Sequence, residues 1–261
     1  MPTDDDWRFL EMATCTGASN MATDEAILIA RAKGLIPNTV RLYQWKPSAV
    51  SVGYFQRIEE VVNIEACKRY GIDIVRRISG GGAVYHSQNE VTYSVVVTQR
   101  DPALPNDPIE VYKKLCNALI SVPSGFGLQA CFEAGHPGLC PNMVIAGKKI
   151  SGNAQARKKG VILQHGTLLL DCDLNLMAEV LKLPKHLVHA KVTTLRRELG
   201  EDDLRKVETV RNMELIQRAL LEGFRKSLKI KLKQSELTCF EQGKAKELKA
   251  KYESEEWTYR R

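Results

Sequence analysis

Apolar and polar positions change their spacing several times along the chain, and each change marks a predicted element. MATDEAILIARAK, over about 21–33, repeats apolar residues at helical spacing. Asn20 is placed to cap it, Asp24 and Glu25 fall in its first turn, and Gly34 stops it. TVRLYQW alternates as a strand does, with Val40 and Leu42 set against Arg41 and Tyr43. A Lys46-Pro47-Ser48 turn leads into a second strand, AVSVGYF. A helix over about 59–70 ends at Gly71, IDIVRRI reads as a strand, GGGAVYH as a loop, and EVTYSVVVT as a long strand rich in β-branched residues. DPIEVYKKLCNALISV has the pattern of an amphipathic helix. LQACFEA, MVIAGKKISGNAQAR and GVILQHGTLLLD read as further strands joined mostly by short glycine-containing turns. From about 174 the pattern turns helical, most clearly over 212–228; LKIKLK is a short strand, and a last helix follows near 242–252. The sum is an α+β fold, with one mixed, mainly antiparallel sheet carrying packed helices. The expected division is a main domain over 1–200 and a small helical C-terminal part over 201–261, set beside that domain or integral to it.

Composition adds mostly exclusions. With 44% apolar and 26% charged residues among 261, the chain can bury a sizeable core. No run approaches the roughly 18 apolar residues of a membrane helix, and the acidic start MPTDDDWRF has no apolar core of a signal peptide. The seven cysteines are scattered and contain no CxxC pair, which speaks against a disulfide framework or a zinc site. Reduced thiols in a cytoplasmic protein are expected. A net charge of +7 without an RNP-type, zinc-finger or helix-turn-helix signature, and without an aromatic stacking platform, argues against nucleic acid. An acidic protein partner or a small anionic substrate explains the charge equally well.

Four segments look unlike plain core. In Arg76-Arg77-Ile78-Ser79-Gly80-Gly81-Gly82-Ala83-Val84-Tyr85-His86, two arginines at a strand end enter a triple-glycine loop whose backbone can approach a ligand closely. In Gly147-Lys148-Lys149-Ile150-Ser151-Gly152-Asn153-Ala154-Gln155, strand alternation sends the two lysines to opposite faces, so one can point into a concave site as a compact positive charge. His165-Gly166-Thr167 lies within an apolar strand, where Gly166 leaves room for a close approach and His165 can line a pocket. Ser51-Val52-Gly53-Tyr54-Phe55 could flank an apolar tunnel. Taken singly, these segments also read as hairpin turns, a satisfied core histidine and ordinary core.

As an ordered set, RRISGGGAVYH, KKISG and HGTLL resemble the lipoate–protein ligase and octanoyltransferase superfamily, itself related to biotin–protein ligases. The resemblance runs from WRFLE and SNMATDEAIL to KYESEEW and is nearest to compact archaeal-type ligases. It implies the class II synthetase-like ligase fold, with the catalytic domain over 1–200. It further implies that lipoate or octanoate is activated with ATP and magnesium as an acyl-adenylate and passed to a lysine of an acceptor. The acceptor would be an acidic lipoyl-domain protein, an E2 or a glycine-cleavage H-like protein. Carried onto this chain, Arg77 and Gly80, Gly81 and Gly82 would lie along the acyl group and nucleotide. Lys149 would contact the reacting oxygens, His86, Gly152, His165, Gly166 and Thr167 would line the site, and Tyr54 would flank the acyl tunnel.

The chain departs from the ligase pattern in two respects. The Asn-Asp pair that ligases carry before the lysine strand is replaced by Leu139-Cys140-Pro141-Asn142-Met143, without the acid. The large C-terminal domain of long ligases is also missing. Either the helical C-terminal part replaces it, or a small accessory subunit does, or there is no adenylation. The second branch of the superfamily takes octanoate from a carrier protein through a cysteine thioester, without ATP. Cys140 and Cys131 both fall in the interval where that branch keeps its nucleophile, and Lys149 or His136 could activate such a thiol. An ATP-dependent ligase is thus the first expectation and the thioester transferase the alternative. A non-catalytic binder of lipoyl domains is set aside by the intact Lys149.

Overall fold

In the computed structural model, the described residues are 6–135, 140–200, 208, 210 and 212–260. His136, the first residues of the N-terminus and the expected boundary at 200/201 fall at or beyond the edges of that set. The first half contains β1 (Asp6–Cys15), α1 (Gly17–Ala32), β2 (Thr39–Trp45), β3 (Ala49–Val52), α2 (Ile58–Val61) and α3 (Ile64–Arg69). After them come β4 (Asp73–Arg76), β5 (Val84–His86), β6 (Glu90–Thr98), α4 (Pro108–Asn117) and α5 (Ser121–Gly125). The second half adds β7 (Ala130–Glu133), β8 (Asn142–Ile145), β9 (Lys148–Lys158), β10 (Val161–Leu169), α6 (Leu174–Val180), α7 (Lys185–Lys191) and α8 (Leu195–Leu199). The chain closes with α9 (Met213–Leu228), β11 (Lys231–Ser235), α10 (Cys239–Glu253) and α11 (Glu255–Thr258).

The expected α+β class and mixed sheet are present. Eight strands run in the order β11-β1-β2-β6-β10-β9-β8-β7, and a second sheet has the order β4-β3-β5. In the large sheet both pairings of β1 are parallel and the others antiparallel. Alternation along β6 divides the core. Val96 packs with Tyr43, Leu163 and Ala156 beneath Ile27 and Met21 of α1. Val95 and Val97 pack on the other face, with Ile162 and Leu42, against Leu115 of α4 and Leu220 and Phe224 of α9. Residues paired directly across strands share a face. The row Ala154–His165–Ser94–Arg41 and the row Thr167–Thr92–Tyr43 therefore both look towards α1.

Several boundaries differ from the sequence pattern. Helix α1 starts at Gly17, capped by Thr16, so Asp24 and Glu25 lie in its middle and not in its first turn. Asn20 is not a cap; its amide binds the Cys15 and Gln44 carbonyls, tying the helix to the ends of β1 and β2. The helix expected over 59–70 is broken at Asn63, whose side chain accepts from Ala66 N and caps α3 as a separate element. The helix expected through Val122 tightens into a 3-10 turn at Ala118–Ile120 before α5. Within the expected GGGAVYH loop, the last three residues form β5.

The C-terminal residues are tied into the same layers. Strand β11 extends the large sheet beside β1. Glu241 of α10 forms a buried ion pair with Arg8 of β1, and Glu25 of α1 accepts from Lys251 and Tyr252 at 2.7 and 2.6 Å. None of the described helices is long and apolar enough to cross a membrane.

Gly223 of α9 gives a test of this packing. A Cβ there would stand 2.0 Å from the Ala118 carbonyl oxygen and 2.5 Å from Ser121 Oγ. Helix propensity alone would favour alanine by about 1 kcal/mol. The clash is expected to win, costing about 1–3 kcal/mol. Gly223→Ala should therefore lower the thermal midpoint by several degrees, since about 2–4 °C is lost per kcal/mol in chains of this size. A raised midpoint would refute the close contact of α9 with the 3-10 turn.

Candidate functional site

Strand alternation at the end of β4 sends two neighbouring arginines in opposite directions. Arg76 is fully buried away from the cavity: Nε donates to the Thr258 carbonyl at 3.0 Å, and Nη1 to those of Gly53 and Gln56 at 2.9 and 2.8 Å. It clamps the β3 exit to the C-terminus. Arg77 turns inwards. Its Nη1 donates to the Ser51 carbonyl at 2.8 Å and Ser51 Oγ at 3.1 Å, and its Nη2 to the Gly80 and Gly82 carbonyls, each at 2.7 Å. These donors shape the glycine loop itself. Burial brings the Arg77 guanidinium down to about 10, which leaves it charged at neutral pH. Two glycines are required by close approach: a Cβ on Gly53 would lie 1.9 Å from the Gly81 oxygen, while Gly81 has φ +88° and would place a Cβ 3.0 Å from Cys140 Sγ.

Lys149 enters the same cavity from β9, while Lys148 lies outside its wall. A register shift between Met143 and Val144 lets Lys149 and Gly152 contribute to one wall. A Cβ on Gly152 would come 2.7 Å from Lys149 Nζ, so the missing side chain makes room for the amine. The Lys149 backbone carbonyl is held by Thr193 N at 2.9 Å. Burial lowers the pKa of Lys149, Cys140 opposes that shift, and Arg77 adds to it. Among the described residues no carboxylate forms an ion pair with this amine.

Two chains of acid, histidine and serine support the walls. In the first, Asp24 of α1 is 1% exposed. Its Oδ1 accepts from Arg41 Nη1 at 2.7 Å and Ser94 Oγ at 2.8 Å, and its Oδ2 from Tyr43 OH at 3.0 Å. The Oδ2 also faces His165 Nδ1 at 3.5 Å, and His165 Nε2 meets Ser79 Oγ at 2.6 Å. Burial alone would raise the Asp24 pKa, but Arg41 and His165 together hold it below the usual value. Burial lowers the pKa of His165 against the pull of Asp24, which favours a neutral ring. In the second, Glu90 Oε1 is 2.7 Å from His86 Nδ1, and His86 Nε2 is 2.8 Å from Ser51 Oγ. Trp45 stacks on His86 at 4.0 Å between ring centroids.

The structure brings Arg77, Gly81, Gly82, His86, Lys149, Gly152, His165, Gly166, Thr167 and Cys140 together around one cavity of about 210 Å³. Tyr54, Gly80 and Cys131 are not in its wall. Tyr54 instead packs against Phe55, Trp257 and Arg260. Gly80 contributes the carbonyl bound by Arg77. Cys131 is exposed in β7, opposite Val144. Cys140 is half-buried, and the nearby thiol adds to burial in raising the pKa of Tyr112 on α4. Sequence reasoning missed Met21, Tyr43, Trp45, Thr92 and Asn142 in the wall, and Asp24 and Glu90 behind it. The available signal was an acid on the apolar face of α1 and another opening a strand that is otherwise buried on both faces. The described wall contains no carboxylate, and among the described residues no group of three or more His, Cys, Asp or Glu is placed to hold a metal ion.

Comparison with known proteins identifies the family and the fold. The family model described as the lipoyl protein ligase A/B catalytic domain matches residues 16–225. The chain is 37% identical to octanoyltransferase LipM of Geobacillus kaustophilus, over 98% of each chain. It is 39% identical to octanoyltransferase LipM of Kyrpidia tusciae, over 98% of this chain and 99% of that one. Among solved structures, a lipoate-protein ligase A bound with ATP superposes with a TM-score of 0.81 at 29% identity, covering 97% of this chain and 98% of that chain. A bipartite lipoate protein ligase of Thermoplasma acidophilum, from a study of that ligase and its E2 lipoyl domain, gives 0.79 at 28% identity over 97% and 96%.

The Asp24 cluster is testable without any substrate. Removing one partner of a buried ion pair costs about 3–5 kcal/mol, so Asp24→Asn should move the denaturant midpoint strongly at pH 7. Because the folded pKa of Asp24 is depressed, the unfolded chain takes up its proton first as pH falls. The stability Asp24 provides is complete above its unfolded pKa and is lost as pH drops through the folded one. The gap between wild type and variant should therefore shrink once the pH is below about 4. A gap that stays constant down to pH 2 would contradict an ionised, paired Asp24.

Proposed function

The chain belongs to the lipoyl protein ligase A/B catalytic-domain family, and within it we propose that it transfers an octanoyl group from a thioester donor to a lysine of a lipoyl-domain acceptor, with Cys140 as the acyl carrier. The observation that carries this reading is an amine, Lys149, without a carboxylate partner, sharing a cavity wall with a thiol, Cys140. The full-length relatives named octanoyltransferase support it. They favour the thioester alternative over the ATP-dependent ligase that the sequence pattern put first.

The geometry suggests the following steps. The Cys140 thiolate attacks the carbonyl of an octanoyl thioester on an acidic carrier protein. A bond forms from Sγ to the carbonyl carbon, and the carbonyl π electrons move onto oxygen. The Lys149 ammonium opposes that developing charge. Collapse of the intermediate expels the carrier thiolate, leaving octanoyl-Cys140. The neutral amine of the acceptor lysine then attacks the same carbonyl. The new amide forms and the Cys140 thiolate is released, while the amine gives its proton to solvent, matching the one that the expelled carrier thiolate takes up. Holding the acyl chain among Tyr43, Trp45 and Ala154 keeps its carbonyl near Lys149. The net charge of +7 suits acidic acceptor and carrier domains, which it would steer towards the site.

The structural likeness to an ATP-bound ligase supports a second reading. In it, Gly81, Gly82 and Lys149 would hold the nucleotide phosphates. Magnesium is a hard cation that seeks carboxylate oxygens, and the described wall provides none.

The two readings separate in one assay. Apo acceptor is mixed either with octanoyl-carrier protein without ATP, or with lipoate, ATP and magnesium. The expected result is an acceptor mass shift in the first mixture alone; a shift in the second alone would establish the ligase. Cys140→Ser should abolish transfer and Cys131→Ser should leave it near normal, and the reverse pattern would move the nucleophile to Cys131. Lys149→Met should reduce transfer by about 10²–10³-fold. Since the amine is desolvated and unpaired, its removal should leave the thermal midpoint unchanged or raise it.

A further inference from the structure

The second acid–histidine–serine chain has a direction that can be read from donors and acceptors alone. Arginine has no acceptor, so Arg77 Nη1 donates to Ser51 Oγ at 3.1 Å. At the other end a carboxylate only accepts, so His86 Nδ1 donates to Glu90 Oε1 at 2.7 Å. In a neutral ring Nε2 is then left to accept the Ser51 hydrogen at 2.8 Å. From the other side, Trp45 Nε1 donates to Thr92 Oγ1 at 2.8 Å, and Thr92 Oγ1 to Glu90 Oε1 at 2.9 Å. Every bond points at Glu90, which is 0% exposed and whose Oε2 has no partner among the described residues.

We infer that Glu90 is a positioning residue for acyl transfer: by fixing the His86 tautomer it orients Ser51 to receive Arg77, and so holds the Gly80–Gly82 loop over Cys140. The far end of the chain shows what is gained. Arg77 grips the Gly80 and Gly82 carbonyls through Nη2 while Nη1 is held by Ser51. Between those two carbonyls lies Gly81, packed so near Cys140 that a Cβ would come 3.0 Å from the thiol. A buried carboxylate without a cation beside it is costly. Stability alone would be served better by an apolar side chain there. The role in the reaction rests on the transferase reading, but the role in orientation does not.

Glu90→Met keeps the bulk and removes the acceptor. With no oxygen to receive the Nδ1 hydrogen, the ring proton moves to Nε2, which then donates to Ser51. Ser51 would accept from both His86 and Arg77 and lose the acceptor that fixes its hydroxyl. In ¹⁵N spectra of histidine-labelled protein, His86 is expected as the Nδ1-protonated tautomer in wild type and the Nε2-protonated one in the variant. The turnover of octanoyl transfer should fall by about ten- to a hundredfold, as for a small misplacement of reacting groups, with donor KM little changed. The rate of Cys140 alkylation by iodoacetamide should also change. Glu90→Gln, whose amide oxygen can still accept from His86 and Thr92, should keep the wild-type tautomer. Ser51→Ala should lower turnover by itself, and adding Glu90→Met should cost nothing more. An unchanged tautomer in Glu90→Met, or an equal loss with and without Ser51, would overturn the proposal. Should Glu90→Met not fold, wild-type turnover and alkylation in Ser51→Ala would overturn it too. If wild type transfers no octanoyl group, the transferase reading fails, while tautomer and alkylation still decide the orientation role.

Discussion

Charge taken out of water has to be answered where it lies, and that requirement organises the centre of this protein. Asp24, Arg41, Arg77 and Glu90 are each at most 5% exposed. An unpaired ion at such depth would cost several kcal/mol. Asp24 meets the requirement by gathering donors from three strands: Arg41 and Tyr43 from β2, Ser94 from β6 and His165 from β10. Because those strands supply the middle of the sheet and α1 supplies the acid, helix and sheet are locked in one relative position. The glycine loop is drawn in by the same logic, since Ser79 reaches His165 and Arg77 reaches Ser51.

Lys149 stands outside that pattern. Its neighbours are a like charge, Arg77, and a thiol, Cys140, and burial works against its charged form. Gly152 leaves the space it occupies, and Thr193 fixes its backbone. A site that keeps a buried amine without a carboxylate partner among the described residues gives up stability at that point. The gain is a positive charge already in place for an anionic oxygen, with no water to be rearranged when the charge develops. The two histidine chains shape the glycine loop that lines the same cavity, through Ser79 and Ser51.

Much of the architecture was legible because period and turn chemistry are local. The β-branched run EVTYSVVVT gave β6, the Lys148–Lys149 alternation put one lysine into the cavity and the other outside it, and the 212–228 pattern gave α9 with its Asn212 cap. The errors also have local causes. Asn20 and Asp24 have the composition of a helix start, yet Thr16 caps α1 four residues earlier and both become buried partners of Arg41. Asn63 breaks a helical pattern because its side chain competes for the Ala66 amide. Tyr54 looked like a tunnel residue because it follows a strand and a glycine. Its ring is instead taken up by Trp257 and Arg260, more than 200 positions further along the sequence.

The sequence by itself determined the class of fold, the family pattern, and the residue types of the site: a lysine on a strand, two histidines, an arginine before three glycines, and two candidate thiols. These follow from periodicity and from short motifs, which are properties of neighbouring residues. Only the tertiary structure decided which member of each pair does what. Arg76 and Arg77 are adjacent, but one braces the C-terminus and the other the cavity. Cys131 and Cys140 are nine positions apart, but one faces solvent on an edge strand and the other meets Gly81 beside Lys149. The acids that orient the two histidines stood out in the chain only as unusual placements and their role was not legible, because the hydrogen bonds that give Asp24 its role join residues up to 141 positions apart. Such bonds depend on strand order and on which face of the sheet a side chain occupies, and no local pattern carries that information.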